Sequence, residues 1–114
     1  MSSKITKTDS YTIVEILSNK IDAQIAPTIK AELTEIAATN EKNIILDLSN
    51  CGYCDSSGLS AILLANRLCK NAGGTCVLCG LQHTVERLLA ISQLDSILIV
   101  APDLKRAEEE FTKK

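Results

Sequence analysis

Two hydrophobic periods alternate along this chain. Residues 11–17, YTIVEIL, are crowded with β-branched side chains and predict a strand. Residues 18–20 read as a turn, and residues 21–23 as a short continuation of the strand. From Ile25 the spacing becomes helical, with Ile25, Ile29, Leu33 and Ile36 on one face and Lys30, Glu32 and Glu35 pointing elsewhere. Pro27 falls in the first turn, where its missing N–H does no harm, and the helix is expected to stop near Asn40. Residues 43–48, NIILDL, form a nearly unbroken apolar run, the pattern of a central strand covered on both faces. Residues 49–55 read as a loop.

The second half repeats the alternation. Leu59, Ile62, Leu63 and Leu68 mark a second amphipathic helix, closed by Asn71 and Ala72 and then by Gly73 and Gly74, residues that helix ends favour. Residues 75–79, TCVLC, predict another buried strand, and residues 80–82 lead into a third helix with Val85, Leu88 and Leu89 on one stripe. Residues 97–100 predict a last strand and residues 103–112 a charged terminal helix. Strands that alternate with helices through short connections imply an α/β fold with right-handed crossovers: a mixed, mostly parallel sheet of four to five strands, amphipathic helices and a C-terminal helix. No repeat, low-complexity tract or linker divides residues 1–114. They read as a single domain with a core at about 11–100, a polar N-terminal segment at 1–9 and a charged terminal helix or tail at 101–114.

Composition removes several function classes. Twelve Lys and Arg against fourteen Asp and Glu leave a net charge of −2, and no basic cluster exceeds a pair, as at Lys113 with Lys114, which argues against nucleic-acid binding. Tyr11, Tyr53 and Phe111 are the only aromatics, too few for a base-stacking platform. The polar residues 1–9 do not resemble a signal peptide, and no apolar run approaches the ~20 residues that span a bilayer. With five cysteines, an odd number, and no secretion signal, reduced thiols in a cytoplasmic protein are the expectation.

Three local signals carry candidate chemistry. The first is Asp55-Ser56-Ser57-Gly58-Leu59, between a buried strand and a helix. Asp and Ser are good N-caps, and Ser57 is the residue expected to cap. A hydroxyl at a helix start is also placed to carry or hold a phosphate, because the helix dipole favours anions there. The segment is neither a P-loop nor a nucleophile elbow, and the single His, His83, reads as a surface residue at a helix start. The second signal is Cys51-x2-Cys54 with Cys76-x2-Cys79, a spacing near the four-cysteine zinc pattern. Cys76 and Cys79 fall within a strand, however, where residues three apart point to opposite faces. The third is redox chemistry at Cys51 and Cys54. That pair precedes the helix by three or more residues and is expected to face Asp47 and Asp55, which would raise its thiol pKa values.

Taken together, the buried strand at 44–48, the loop and the helix opened by Asp55-Ser56-Ser57-Gly58-Leu59 resemble the STAS domains of anti-sigma factor antagonists. The resemblance runs from about 11 to 100. It includes Ile21-Asp22 after the first strand, Ala26-Pro27 opening its helix, and the Gly73-Gly74 turn. It extends to Leu88-Leu89 and to the Leu94-Asp95 region with Ile97. It implies a non-enzymatic switch without a cofactor, which binds an anti-sigma factor that is also a serine kinase. Phosphorylation of the Ser directly after the Asp, here Ser56, would turn it off, a serine phosphatase would reverse this, and Ser57 is the second candidate. The implied binding surface combines Asp22 with Asp55, Ser56, Ser57, Gly58 and Leu59 and the exposed face of the second helix, where Asn66 and Arg67 are candidates. A second reading keeps the fold but makes the domain a scaffold or accessory subunit of a sensory or transporter complex. A third is a zinc or thiol-redox protein built on the cysteines. The oligomeric state is not legible in the sequence.

Overall fold

In the computed structural model, which describes residues 3–112, the sheet grows outward from the two most apolar segments. Strands β4 (Ile44–Asp47) and β6 (Cys76–Cys79) run in parallel, with Ile44 opposite Cys76 and Asp47 opposite Cys79. On their outer sides β2 (Thr12–Ile16) joins β4 and β7 (Ile99–Ala101) joins β6, again in parallel. An antiparallel strand, β1 (Ser3–Lys7), flanks β2, giving the order β1-β2-β4-β6-β7. The sheet is therefore mixed, mostly parallel and five-stranded, as the alternating pattern predicts.

Both faces are covered, which is why β4 and β6 are apolar at nearly every position. Ile44, Leu46, Cys76 and Leu78 face a large cluster filled by helices α1 (Ala26–Ala38), α2 (Ser56–Asn71) and α3 (His83–Ile91). Ile45, Val77 and Cys79 face the other way, beneath α4 (Leu104–Thr112). There Ala107 is fully buried, and Tyr11 stacks on Phe111 with ring centroids 5.4 Å apart. The charged terminal segment is thus a packed layer whose outer side carries the charge.

Three elements depart from the sequence pattern. β1 lies within the segment read as polar, where no strand is expected. Its side chains are exposed except Ser3, so no alternation marks it, and backbone pairing with β2 together with the Thr8–Tyr11 turn places it. Within the expected loop at 49–55, Tyr53–Cys54 forms a short strand, β5, parallel to β3 (Lys20–Ile21). The last strand starts two residues later than expected, because Gln93 turns left-handed at φ 60° and Leu94–Ser96 winds into a 3-10 turn. Met1, Ser2 and the basic pair Lys113 and Lys114 lie outside the described residues.

Candidate functional site

The two-residue ladder of β3 and β5 assembles the candidate site. Lys20 pairs with Tyr53 and Ile21 with Cys54, and the Asp55 N–H donates to the Ile21 carbonyl at 3.3 Å. The register carries Asp22 alongside Asp55. Each carboxylate then organises a helix start. Asp22 Oδ1 accepts from the N–H groups of Gln24 at 3.0 Å and Ile25 at 3.2 Å, ahead of α1. Its Oδ2 lies 3.4 Å from Lys20 Nζ. Desolvation opposes ionisation of Asp22, but the Ile25 and Gln24 N–H groups and the Lys20 ammonium outweigh it, so its carboxyl titrates below the ordinary value.

Asp55 is the N-cap of α2, with Oδ1 accepting from Gly58 N at 3.0 Å. This corrects the expectation that Ser57 caps the helix. The helix begins at Ser56, so Ser57 is the second helical residue and the carboxylate before it reaches the third N–H. The cap needs neither serine hydroxyl. Ser56 is exposed and Ser57 half-buried. Gly58 is buried, and a Cβ there would collide with the Ile21 carbonyl and Cys54 Sγ. Leu59 is half-buried against the large cluster, with its N–H bonded to the Asp55 carbonyl at 2.9 Å. On the rest of α2 the expectation divides. Arg67 is exposed, whereas Asn66 is only 8% exposed and does not belong to an outer face. Asn66 lies one helical turn after the fully buried Ile62, and that spacing marks it in the sequence.

The cysteines are dispersed by the sheet. Cys76 packs in the large cluster and Cys79 under α4, on opposite faces as strand geometry requires. All five thiols are free and buried, and among the described residues no three His, Cys, Asp or Glu side chains are grouped to hold a metal. Cys54 lies two residues before α2, nearer than expected, yet burial, then the charges of Cys51 and Asp55, push its pKa up to about 12. Burial also raises Cys51, whose Sγ donates to the Tyr53 carbonyl at 3.1 Å. Asp47 acts on a different thiol from the one expected: with burial as the main cause, it helps push Cys79 up to about 12. Thiolate nucleophiles are disfavoured at all three. The neighbouring Cys69 thiol and then burial raise Cys76 as well, a proximity that the CxxC spacings do not reveal.

Beside the serine lies a feature the sequence reading passed over. An open groove of about 310 Å³ runs between β5 and α3, lined by Tyr53, His83, Thr84, Arg87, Leu88 and Ile91. His83 is exposed there as the first residue of α3.

Fold and site together define a small α/β module that presents an exposed serine, beside the capping Asp55 and the turn-forming Asp22, next to an open groove. A family model described as the STAS domain matches residues 2–107, and the chain belongs to that family. The anti-sigma-B factor antagonist of Listeria monocytogenes is 30% identical over 112 residues, covering 97% of this chain and 94% of the relative. The anti-sigma F factor antagonist of Paenibacillus polymyxa is 31% identical over 83 residues, 72% of this chain and 71% of the relative. Among solved structures, the unphosphorylated anti-sigma factor antagonist SpoIIAA aligns with a TM-score of 0.82 at 18% identity, covering 98% of this chain and 97% of that one. The phosphorylated form of the Bacillus protein aligns at 0.73 and 16% identity, covering 95% and 98%. These two likenesses establish a shared fold.

Proposed function

We propose that this chain is an anti-sigma factor antagonist that docks on an anti-sigma factor with serine-kinase activity and is switched off by phosphorylation of Ser56. The observation that carries the reading is the geometry at the start of α2: Ser56 is exposed on the first helical residue, next to the capping Asp55. The names of the curated relatives, and the existence of SpoIIAA in phosphorylated and unphosphorylated forms, point the same way. The docking surface comprises Asp22, Asp55, Ser56, Ser57 and Leu59 above the buried Gly58, with Arg67 further along α2. The domain is a substrate of the kinase and of a serine phosphatase, and needs no chemistry of its own.

The physics of the switch follows from the cap. A helix start ordinarily welcomes an anion, but Asp55 has already taken the Gly58 N–H. Phosphate adds about 1.5 to 2 negative charges beside that carboxylate, with Asp22 alongside. In a docked interface this group is desolvated against like charge. Moving an equilibrium from 1:99 to 99:1 takes about 5.5 kcal/mol of differential affinity, and a doubly charged group in a closed contact supplies much of it.

The test is phosphoryl transfer. Wild type and Ser56→Ala are incubated with ATP and each kinase-type anti-sigma factor of the source organism, and intact mass is read. One added phosphate in wild type alone is the expected result. Equal gain in both moves the site to Ser57, and no gain with any kinase overturns the phospho-switch.

A further inference from the structure

We propose that the groove between β5 and α3 is a second docking surface, which receives an acidic amphipathic helix of the same partner that reads Ser56; the inference rests on that reading of function. Helix α3 has two faces. Val85 and Leu89 are buried in the core, while His83, Thr84, Arg87, Leu88 and Ile91 follow one another at helical spacing along the groove. That stripe is about 12 Å long at 1.5 Å per residue, enough to meet two turns of a second helix.

Its chemistry is that of a contact surface left open. Ile91 at 74% and Tyr53 at 52% are the most exposed large hydrophobic side chains among the described residues, and they share this groove. The charged or chargeable groups that line it are Arg87 and His83, with the Cys54 thiol held neutral by burial. Lys20, which pairs with Tyr53 in the β3–β5 ladder, is engaged by Asp22 at 3.4 Å, so Arg87 is the fixed charge of the groove. Arg87 thus stands as a single fixed positive charge on an apolar slot, and the complementary occupant sets a carboxylate against it beside aliphatic or aromatic side chains. Position selects the partner. Tyr53 and Cys54 run directly into Asp55 and Ser56, so a molecule seated over the serine extends over the groove without a gap. Arg87 then pairs with an acidic side chain on the rim, and Tyr53, Leu88 and Ile91 cover the apolar stripe, the aromatic and aliphatic anchors on which interface affinity concentrates.

The experiment measures dissociation constants of the source organism's kinase-type anti-sigma factors for wild type, Ser56→Asp, Arg87→Glu and Ile91→Ser, with melting temperature and oligomeric state recorded for each. Arg87→Glu and Ile91→Ser are expected to weaken binding at least tenfold at unchanged melting temperature, with the Arg87→Glu loss shrinking as salt is raised. If Ser56→Asp abolishes binding while both groove variants bind as wild type does, the groove proposal is overturned and the functional reading stands. If wild type binds none of the anti-sigma factors, the functional reading falls and takes the groove with it. If the groove variants change self-association and leave partner affinity alone, a second copy of this chain is the occupant and the proposal is wrong.

Discussion

Gly58 is where the helix carrying the serine and the strand beside it come closest. The α2 backbone rests against the Ile21 carbonyl and Cys54 Sγ, and a methyl group has no room there. Because the obstacle is backbone, the helix start must move as a unit. Gly58→Ala is therefore expected to destabilise the domain by about 1–3 kcal/mol, the usual cost of overpacking, despite the better helix propensity of alanine. Urea unfolding of the variant checks this. A midpoint at or above that of wild type would mean that α2 does not press on β3. The same closeness explains the division of labour at the site. The carboxylate of Asp55 reaches over Ser56 and Ser57 to the Gly58 N–H, so the serine at the exposed corner is spared from capping.

At the scale of elements, α4 shows how a charged sequence becomes a structural layer. Its charged residues face outward, and the small buried Ala107 lets it lie close to Ile45 and Val77. Ala107→Leu is expected to cost about 1–3 kcal/mol through overpacking, read as a lowered urea midpoint with anti-sigma factor binding unchanged, because Ser56 lies on a helix of the opposite layer. An unchanged midpoint would show that α4 is not seated on the sheet. Elements whose identity rests on burial were legible in the sequence. β4 and β6 are apolar because both faces are covered, and α1 and α2 carry their buried stripes at helical spacing. Elements that rest on backbone pairing were not. β1 has Ile5 as its sole apolar residue, and that side chain is exposed, while β5 is two residues long. The candidate site divides along the same line. Asp55, Ser56 and Ser57 stood out as residue types at a helix start, but that Asp55 and not Ser57 caps depends on where the helix begins, and that is set by the β3–β5 ladder. The groove was illegible because Tyr53 and α3 are far apart in sequence and meet only through the fold.

Across the whole molecule, the candidate surface collects what leaves the C-terminal ends of three neighbouring parallel strands. β2 leads to Asp22, β4 to Asp55 and Ser56, and β6 to His83. Crevices beyond those ends are where open α/β sheets place their binding sites. Short polar links tie the three connections together. Gly52 N donates to the Asn19 carbonyl at 2.9 Å, Asn50 Nδ2 to the Ile16 carbonyl at 3.1 Å, and Gln82 Nε2 to the Ser49 carbonyl at 2.9 Å. The platform is therefore braced on a sheet whose central strands, β4 and β6, are buried on both faces, and Ser56 projects from it without contributing to the core. A charge added there changes what the surface presents and leaves the scaffold as it was. Amide hydrogen exchange of Ser56→Asp against wild type tests that consequence. Protection in β4 and β6, which opens only with the deepest core, is expected to be unchanged, and any difference to be confined to β3, β5 and the first turn of α2. Altered exchange in β4 or β6 would mean that the switch works through a change of fold, and the like-charge account of partner release would then be wrong.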